Sequence, residues 1–143
     1  MKSFVSSSPE FTMDIAAKLS EELSGGEIIA LKGGLGMGKT CFVKGLAAGL
    51  GFSGEVTSPT FAIVNEYVGG RLDLFHFDMY RITGWDDLYS TGYFEYTDAG
   101  GVVAVEWSEN IAGALEGENV ITVEIERLSD SERKITVSGG EQL

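Results

Sequence analysis

Residues 33 to 40 read Gly33-Gly34-Leu35-Gly36-Met37-Gly38-Lys39-Thr40. This stretch matches G-x-x-x-x-G-K-T, the phosphate-binding P-loop. The apolar run Ile28-Ile29-Ala30-Leu31 precedes it, and an amphipathic stretch from Cys41 to Leu50 follows it. A strand that leads through a glycine loop into a helix presents backbone N–H groups and the positive end of the helix to an anion. The sequence therefore predicts a strand, a phosphate-binding loop and a helix in this order.

The residue types of the loop indicate a nucleotide with a metal ion. Lys39 would supply a positive charge to the β- and γ-phosphates, and Thr40 a hydroxyl to Mg²⁺. A merely glycine-rich turn is the alternative interpretation. The predicted nucleotide contacts are Gly33, Gly34, Leu35, Gly36, Met37, Gly38, Lys39, Thr40 and Cys41.

Composition and charge limit the remaining classes. The chain has 143 residues, 43% of them hydrophobic and 22% charged, so we expect one globular domain over residues 1–143. The net charge of −12 opposes binding to nucleic acid by this chain alone. One cysteine excludes an intramolecular disulfide, and the sequence shows neither a signal peptide nor an apolar run that could span a bilayer. These features predict a cytoplasmic enzyme that acts away from membranes.

The rest of the chain alternates helix and strand patterns. Ser8-Pro9 is typical of a helix start, and Gly25-Gly26 of its end. The other predicted elements are a strand over 27–32, a hairpin of 61–68 and 71–77 joined by Gly69-Gly70, a short helix over 85–89, a strand over 102–105 buried on both faces, and strands over 120–126 and 134–137. The pattern predicts an α/β fold, a single-domain P-loop NTPase-like fold with a largely parallel central sheet plus antiparallel hairpins.

Two carboxylates follow predicted strands where the phosphates would lie. Glu106 comes directly after the apolar run 102–105, and Asp78 ends the run Leu74-Phe75-His76-Phe77. We expect Glu106 to hold Mg²⁺, directly or through water, and Asp78 to orient the attacking water. The alternative for each is a carboxylate that caps a turn.

Other polar residues are less specific. The segment Thr57-Ser58-Pro59-Thr60-Phe61 suits a loop that senses the γ-phosphate, or an ordinary turn. His76 is the only histidine, and its apolar neighbours favour a structural role. Asp98-Ala99-Gly100-Gly101 matches the D-x-x-G of GTPases, but no N-K-x-D follows, which favours adenine over guanine nucleotides.

Five stretches together resemble the bacterial TsaE family, formerly YjeE. They are Gly33 to Thr40, Ser58-Pro59-Thr60-Phe61, Val64-Asn65-Glu66-Tyr67, His76-Phe77-Asp78-Met79-Tyr80-Arg81 and Val105-Glu106-Trp107, in the family's order and with similar spacing. The resemblance covers most of the chain, from about Ser8 to Trp107.

The resemblance implies a small ATPase that serves the synthesis of N6-threonylcarbamoyladenosine in tRNA together with two partners, TsaD and TsaB. TsaD transfers the threonylcarbamoyl group, and the ATPase would reset that complex without binding tRNA itself. ATP or ADP and Mg²⁺ would be its cofactors, with Lys39, Asp78, Glu106 and Trp107 needed for hydrolysis or coupling. The adenine ring would lie near Glu10, Phe11 and Arg133.

Some positions depart from the family pattern. Asn110 stands near a position where a basic residue is common, so Arg81 becomes a candidate for stabilising transition-state charge. Two other functions stay open, a small-molecule kinase and a nucleotide-dependent binding module. A kinase usually carries several arginines in a lid, whereas this chain has four arginines in all: Arg71, Arg81, Arg127 and Arg133.

Overall fold

The computed structural model of the chain describes residues 2–33, 38–54 and 63–139. Its elements are β1 (Lys2–Ser6), α1 (Pro9–Ser20), β2 (Ile28–Lys32), α2 (Lys39–Gly49), β3 (Val64–Tyr67), β4 (Leu74–Asp78), α3 (Trp85–Ser90), α4 (Tyr93–Asp98), β5 (Val102–Glu106), a 3₁₀ turn (Ser108–Ile111), α5 (Ala112–Leu115), β6 (Val120–Arg127) and β7 (Arg133–Gly139).

The strands of the described residues form one sheet in the order β1-β7-β6-β2-β5-β4-β3. β2 pairs in parallel with both β5 and β6, and β4 pairs in parallel with β5. The outer pairs β3–β4, β6–β7 and β1–β7 are antiparallel. This arrangement confirms the predicted fold class, a P-loop NTPase-like α/β fold with a parallel centre and antiparallel hairpins.

Helices cover both faces of the sheet. Successive apolar residues of the central strands point to opposite faces, so each face has its own hydrophobic core against which helices pack. On one face Ile29, Leu31 and Ala104 pack with Ile15 of α1 and Leu46 of α2. The opposite core contains Val103, Val105, Phe77, Leu88 of α3 and Tyr93 of α4. The central strand β5 has Val102 to Val105 no more than 1% exposed, as predicted for a strand covered on both faces.

Helices α1 and α2 approach each other closely at two glycines. A Cβ at Gly45 would lie 2.4 Å from the carbonyl oxygen of Met13, and one at Gly49 would lie 2.0 Å from Ser20 Oγ. Neither distance is compatible with a side chain. The glycines therefore let α2, which follows the P-loop, lie directly against α1.

Element boundaries differ from the sequence-based expectations in a few places. Helix α1 starts at Pro9 with Ser8 as its N-cap, as expected, but it ends at Ser20 and not at Gly25-Gly26. The predicted hairpin forms with Tyr67 opposite Leu74, so its loop spans 68–73 and its strands are shorter than expected. The sequence patterns missed β1, α4 and α5. All three are four to six residues long, too short for a periodic signal.

Candidate functional site

The carboxyl ends of β2, β4 and β5 meet at one edge of the sheet, and the site lies there. Leu31 is opposite Glu106 in the β2–β5 register, and Asp78 is opposite Glu106 in the β4–β5 register. Gly33 follows β2 at the same edge, and Lys39 at the start of α2 contacts it. Parallel pairing thus brings three distant parts of the sequence together, as in other open α/β sheets with sites at strand carboxyl ends.

Lys39 begins α2 and turns its side chain toward this edge. Its Nζ donates to the carbonyl oxygen of Gly33 at 3.0 Å and lies 3.2 Å from Glu106 Oε1. The residue is only 8% exposed, so this charge is largely withdrawn from water. Gly38, just before it, has φ +102°, a left-handed conformation that favours glycine. The glycine allows the chain to turn sharply into the helix.

The second oxygen of Glu106 contacts His76, for which the sequence favoured a structural role. His76 Nε2 and Glu106 Oε2 are 2.7 Å apart, and both side chains are mostly buried. The hydrogen bond from His76, together with the smaller effects of the His76 and Lys39 charges, lowers the pKa of Glu106 below its ordinary value of 4.5, although desolvation opposes this shift. Glu106 is therefore a carboxylate at neutral pH.

Asp78 lies at the end of β4 with an exposed side chain. Its Oδ1 accepts the backbone N–H of Tyr80 at 3.0 Å, while its own N–H donates to the carbonyl oxygen of Ile63. It thus caps the turn after β4, as one interpretation anticipated. Among the described residues, Asp78 forms no ion pair with Lys39 and no side-chain hydrogen bond with Glu106. The predicted role in orienting water stays a prediction.

Trp107 has an unusual backbone conformation directly after Glu106. Its φ of +60° is the only positive value outside glycine in the described residues. The ring packs on Tyr80, with centroids 4.9 Å apart, and the amide of Asn110 donates to the carbonyl oxygens of Met79 and Tyr80. The loops that follow β4 and β5 are thereby joined. Such strain is kept where neighbouring contacts determine the local structure.

A cavity of about 330 Å³ opens beside the start of α2. Gly38, Cys41 and Arg133 line it, together with Ser8 and Pro9 at the start of α1. Of the three residues expected near the adenine ring, Arg133 lines this cavity. The adenine site itself stays a prediction. Glu10 and Phe11 do not line the cavity, because α1 begins at Pro9 and turns both residues outward, where both are exposed.

Other predicted residues lie elsewhere or cannot be placed. Thr40 is exposed in the first turn of α2. Arg81 is exposed and lines a separate open cavity of about 690 Å³ with Asp87 and Tyr96. Residues 34–37 of the predicted P-loop and all of the 57–61 segment lie outside the described residues.

Two negative findings apply to the described residues. They contain no group of three or more histidine, cysteine, aspartate or glutamate residues that could hold a metal ion by itself. A P-loop holds Mg²⁺ through a hydroxyl, phosphate oxygens and water, so its metal site needs no such cluster. None of the helices in the described ranges is both long and apolar enough to cross a membrane.

The sequence patterns did not predict the hydrogen bonds of His76 and Asn110. His76 alternates with apolar residues on β4, a pattern that fits a core histidine equally well. The strand pattern nonetheless offered one indication. His76 and Asp78 lie on the same face of β4, and Asp78 was already a candidate site residue, so His76 could have been expected near the site. For Asn110 no local pattern indicates that its amide reaches back to the turn after β4.

The sheet order and the lysine–carboxylate pair at its carboxyl edge define a protein of the P-loop NTPase-like class. The family model described as "Threonylcarbamoyl adenosine biosynthesis protein TsaE" matches residues 6–135. The chain therefore belongs to the TsaE family, which confirms the resemblance seen in the sequence.

Individual relatives agree with this assignment. A protein of Treponema pallidum named tRNA threonylcarbamoyladenosine biosynthesis protein TsaE is 43% identical over 87% of this chain and 88% of its own length. One of the same name from Bacillus subtilis is 43% identical over 90% of this chain and 79% of its own length. The crystal structure of YdiB from Bacillus subtilis superposes with a TM-score of 0.77 at 37% identity, covering 97% of this chain and 85% of that one. Family membership indicates a role in the synthesis of threonylcarbamoyladenosine in tRNA.

Proposed function

We propose that this protein binds and hydrolyses MgATP, and that hydrolysis drives turnover of a TsaD–TsaB complex. The observation that carries the proposal is the contact of Lys39 Nζ with Glu106 Oε1 at the carboxyl edge of a parallel sheet. A lysine at the start of the helix after a P-loop, with an acid at the end of the neighbouring strand, is the pair that phosphoryl-transfer proteins place around MgATP.

The residues present fit both the nucleotide and the metal. The charge of Lys39 faces a carbonyl and a carboxylate, which are the kinds of oxygen that phosphates can replace. The cavity of about 330 Å³ beside Gly38 and Cys41 is of a size for a base and part of a ribose. Mg²⁺, when bound with ATP, would neutralise charge on the β- and γ-phosphates, with Thr40 and Glu106 as its protein ligands, the latter directly or through water.

Lys39, Glu106 and Asp78 then have separate roles in hydrolysis. Lys39 leaves Glu106 and turns its charge to the β- and γ-phosphates, which frees Glu106 Oε1. Asp78, one strand away at the same register, accepts a proton or hydrogen bond from the attacking water through its second oxygen. Positioning and charge supply most of the catalysis in such reactions, because the protein makes no covalent bond with the phosphate.

Exposed aromatic side chains beside the site support a protein partner. Tyr80 is 61% exposed, Trp85 53% and Tyr89 64%, and Trp107 is 38% exposed. Trp85 and Asn110 line one small cavity, so this surface is continuous with the turn that packs on Trp107. Aromatic residues anchor many protein interfaces. A partner on this surface would sense the loops that carry Asp78 and Glu106.

The arginines argue against a small-molecule kinase. Arg71 donates to the carbonyl oxygen of Ser20, and Arg127 pairs with Asp130. Arg133 donates to the carbonyl oxygens of Ser129 and Glu132. Three of the chain's four arginines are thus engaged in local structure, and Arg81 is the one without such a bond in the described residues. One arginine without a local partner is fewer than the several that the lid of a small-molecule kinase usually carries.

The proposed activity and coupling can be tested directly. Phosphate release from MgATP is measured at steady state with and without the purified TsaD–TsaB pair, and gel filtration in MgATP, MgADP and no nucleotide reports the complex. We expect slow hydrolysis alone, stimulation by the pair, and a complex favoured by ATP. Equal rates together with no complex in MgATP would refute the coupling. A role in tRNA modification would place the protein in the cytoplasm.

A further inference from the structure

His76 shares a face of the sheet with the two carboxylates of the site. Leu74, His76 and Asp78 are every second residue of β4, so their side chains lie on the same side of the sheet. In the register with β5, His76 is opposite Ala104. Glu106 is two residues further along β5 and points to the same side. The small side chain of Ala104 leaves the imidazole ring room to reach diagonally across to Glu106.

The two oxygens of Glu106 have different partners. Oε2 is 2.7 Å from His76 Nε2, whereas Oε1 is 3.2 Å from Lys39 Nζ. His76 projects from a strand with a short, stiff side chain, while Lys39 has a long and flexible one. The Lys39 ammonium group can therefore swing from Glu106 to a phosphate, whereas the His76 imidazole has little freedom to leave Glu106.

The direction of the His76 hydrogen bond follows from the charge of Glu106. Glu106 forms an ion pair with the ammonium group of Lys39 at 3.2 Å, and a carboxylate only accepts hydrogen bonds. Nε2 of His76 must then carry the hydrogen. This holds for a neutral as well as for a protonated imidazole.

We propose that His76 is a positioning residue, which fixes Glu106 through Oε2 so that Oε1 faces the metal side of the site once Lys39 turns to the phosphates. This rests on the proposed ATPase function for its kinetic consequence. The hydrogen bond itself is a property of the folded chain. Ligand carboxylates in metal sites are commonly oriented by such a second hydrogen bond, and loss of the partner costs about 10- to 100-fold in metal affinity or activity.

Two substitutions separate positioning from packing. His76→Leu removes the donor and keeps an apolar filler, whereas His76→Gln retains an N–H donor at about the reach of Nε2. We expect His76→Leu to lower kcat for partner-stimulated hydrolysis about 10- to 100-fold with little change in KM, and to raise the Mg²⁺ concentration needed for half-maximal rate. His76→Gln should recover most of this loss. In a Glu106→Ala background His76→Leu should have no further effect.

A second readout does not depend on hydrolysis. The chain has one histidine, so ¹⁵N-imidazole spectra of untagged protein contain signals of His76 alone. We expect a slowly exchanging Nε2–H proton shifted downfield by the carboxylate, and we expect Glu106→Gln to move this signal upfield. Calorimetry of ADP with and without Mg²⁺ then gives the metal contribution to affinity, which His76→Leu should reduce.

Each outcome decides between the alternatives. Parent-like kcat and Mg²⁺ dependence in His76→Leu, or an equal loss in His76→Gln and His76→Leu, would overturn the positioning role. If His76→Leu does not fold, the spectra decide, because a hydrogen on Nδ1 alone or no response to Glu106→Gln overturns the proposal. If the parent hydrolyses no ATP, the ATPase function fails, and the imidazole spectra and the calorimetry still test His76.

Discussion

Lys39 Nζ lies 3.2 Å from Glu106 Oε1, so the cation of the P-loop helix and the acid at the end of β5 neutralise each other. Nucleotide phosphates must compete with that carboxylate for the lysine. We expect Lys39→Ala to weaken ATP and ADP binding by about ten- to a hundredfold, or ~1.5–3 kcal/mol, because one charge-assisted contact is lost.

Isothermal titration calorimetry measures this change. Lys44→Ala is the matched control, since Lys44 is exposed on the same helix and should bind nucleotide as the parent does. An unchanged dissociation constant for Lys39→Ala would show that the lysine does not reach the phosphates.

The two carboxylates at the end of β4 and β5 should both be needed for hydrolysis. Glu106→Ala and Asp78→Ala remove charged groups at the edge of the sheet and leave its apolar core intact, so both variants should fold and lose activity. Only Glu106→Ala should change the Mg²⁺ dependence of nucleotide binding. The assay is phosphate release with the partner pair present, with Asp98→Ala, an exposed acid at the end of α4, as control. Parent rates in both variants would contradict the assignment.

The lowered pKa of Glu106 has a consequence for stability in acid. Its carboxylate is better stabilised in the folded than in the unfolded chain, so its contribution is complete above the ordinary value of 4.5 and disappears as the pH falls through the lower folded-state pKa. The amide in Glu106→Gln does not ionise, so this variant lacks the contribution of residue 106 to the pH dependence of stability. Urea unfolding from pH 7 downward should show the free energy of unfolding falling more steeply below pH 4.5 for the parent than for Glu106→Gln. Parallel curves would speak against a depressed pKa.

Trp107 should matter more for coupling than for nucleotide binding. Its ring packs on Tyr80, away from the cavity in which we propose that the nucleotide binds, and it is 38% exposed. Trp107→Ala should reduce the partner-stimulated rate more than it changes the ATP dissociation constant. Trp107→Phe keeps an aromatic ring at this position and should retain most of the stimulation. A loss of affinity as large as the loss of rate would indicate a direct nucleotide contact.

Arg133 lines the cavity in which we expect the adenine. Arg133→Ala should weaken ATP binding about two- to thirtyfold, the range of a cation–π contact with a ring, and leave binding of inorganic tripolyphosphate unchanged. Lys134→Ala, an exposed neighbour on β7, serves as control. Unchanged ATP affinity in Arg133→Ala would remove it from the site, and tighter binding of GTP than of ATP would refute the expected adenine preference.

The long elements were predictable from sequence because their signals are local. Glycine spacing, apolar runs and the Ser8-Pro9 helix start each arise from adjacent residues, and the structure has β2, α2, β5 and the β6–β7 hairpin where they were expected. Strand ends could also be compared, since parallel strands bring their carboxyl ends to one edge, and this placed Glu106 and Asp78 near each other.

What the sequence did not reveal depends on contacts between distant residues. The His76–Glu106 hydrogen bond spans two strands, and it exists because both residues fall on the same face in the β4–β5 register. The Asn110 bonds to the turn after β4 are of the same kind. The sequence also did not reveal that Glu10 and Phe11 are exposed and do not line the cavity, because a helix start does not show which side of the helix will face a cavity. Register and helix rotation are set by tertiary packing, which one sequence does not display.

Cys41 offers a practical use of the cavity at the start of α2. It is the only cysteine of the chain, it is half-buried, and it belongs to the cavity wall. A thiol reagent such as a small maleimide would thus modify the protein at one position without any engineering. The rate of alkylation becomes a chemical footprint: a ligand in the cavity shields the sulfur, and a ligand bound elsewhere leaves the rate unchanged. Screening compounds for occupancy of this cavity would then need only a mass spectrometer.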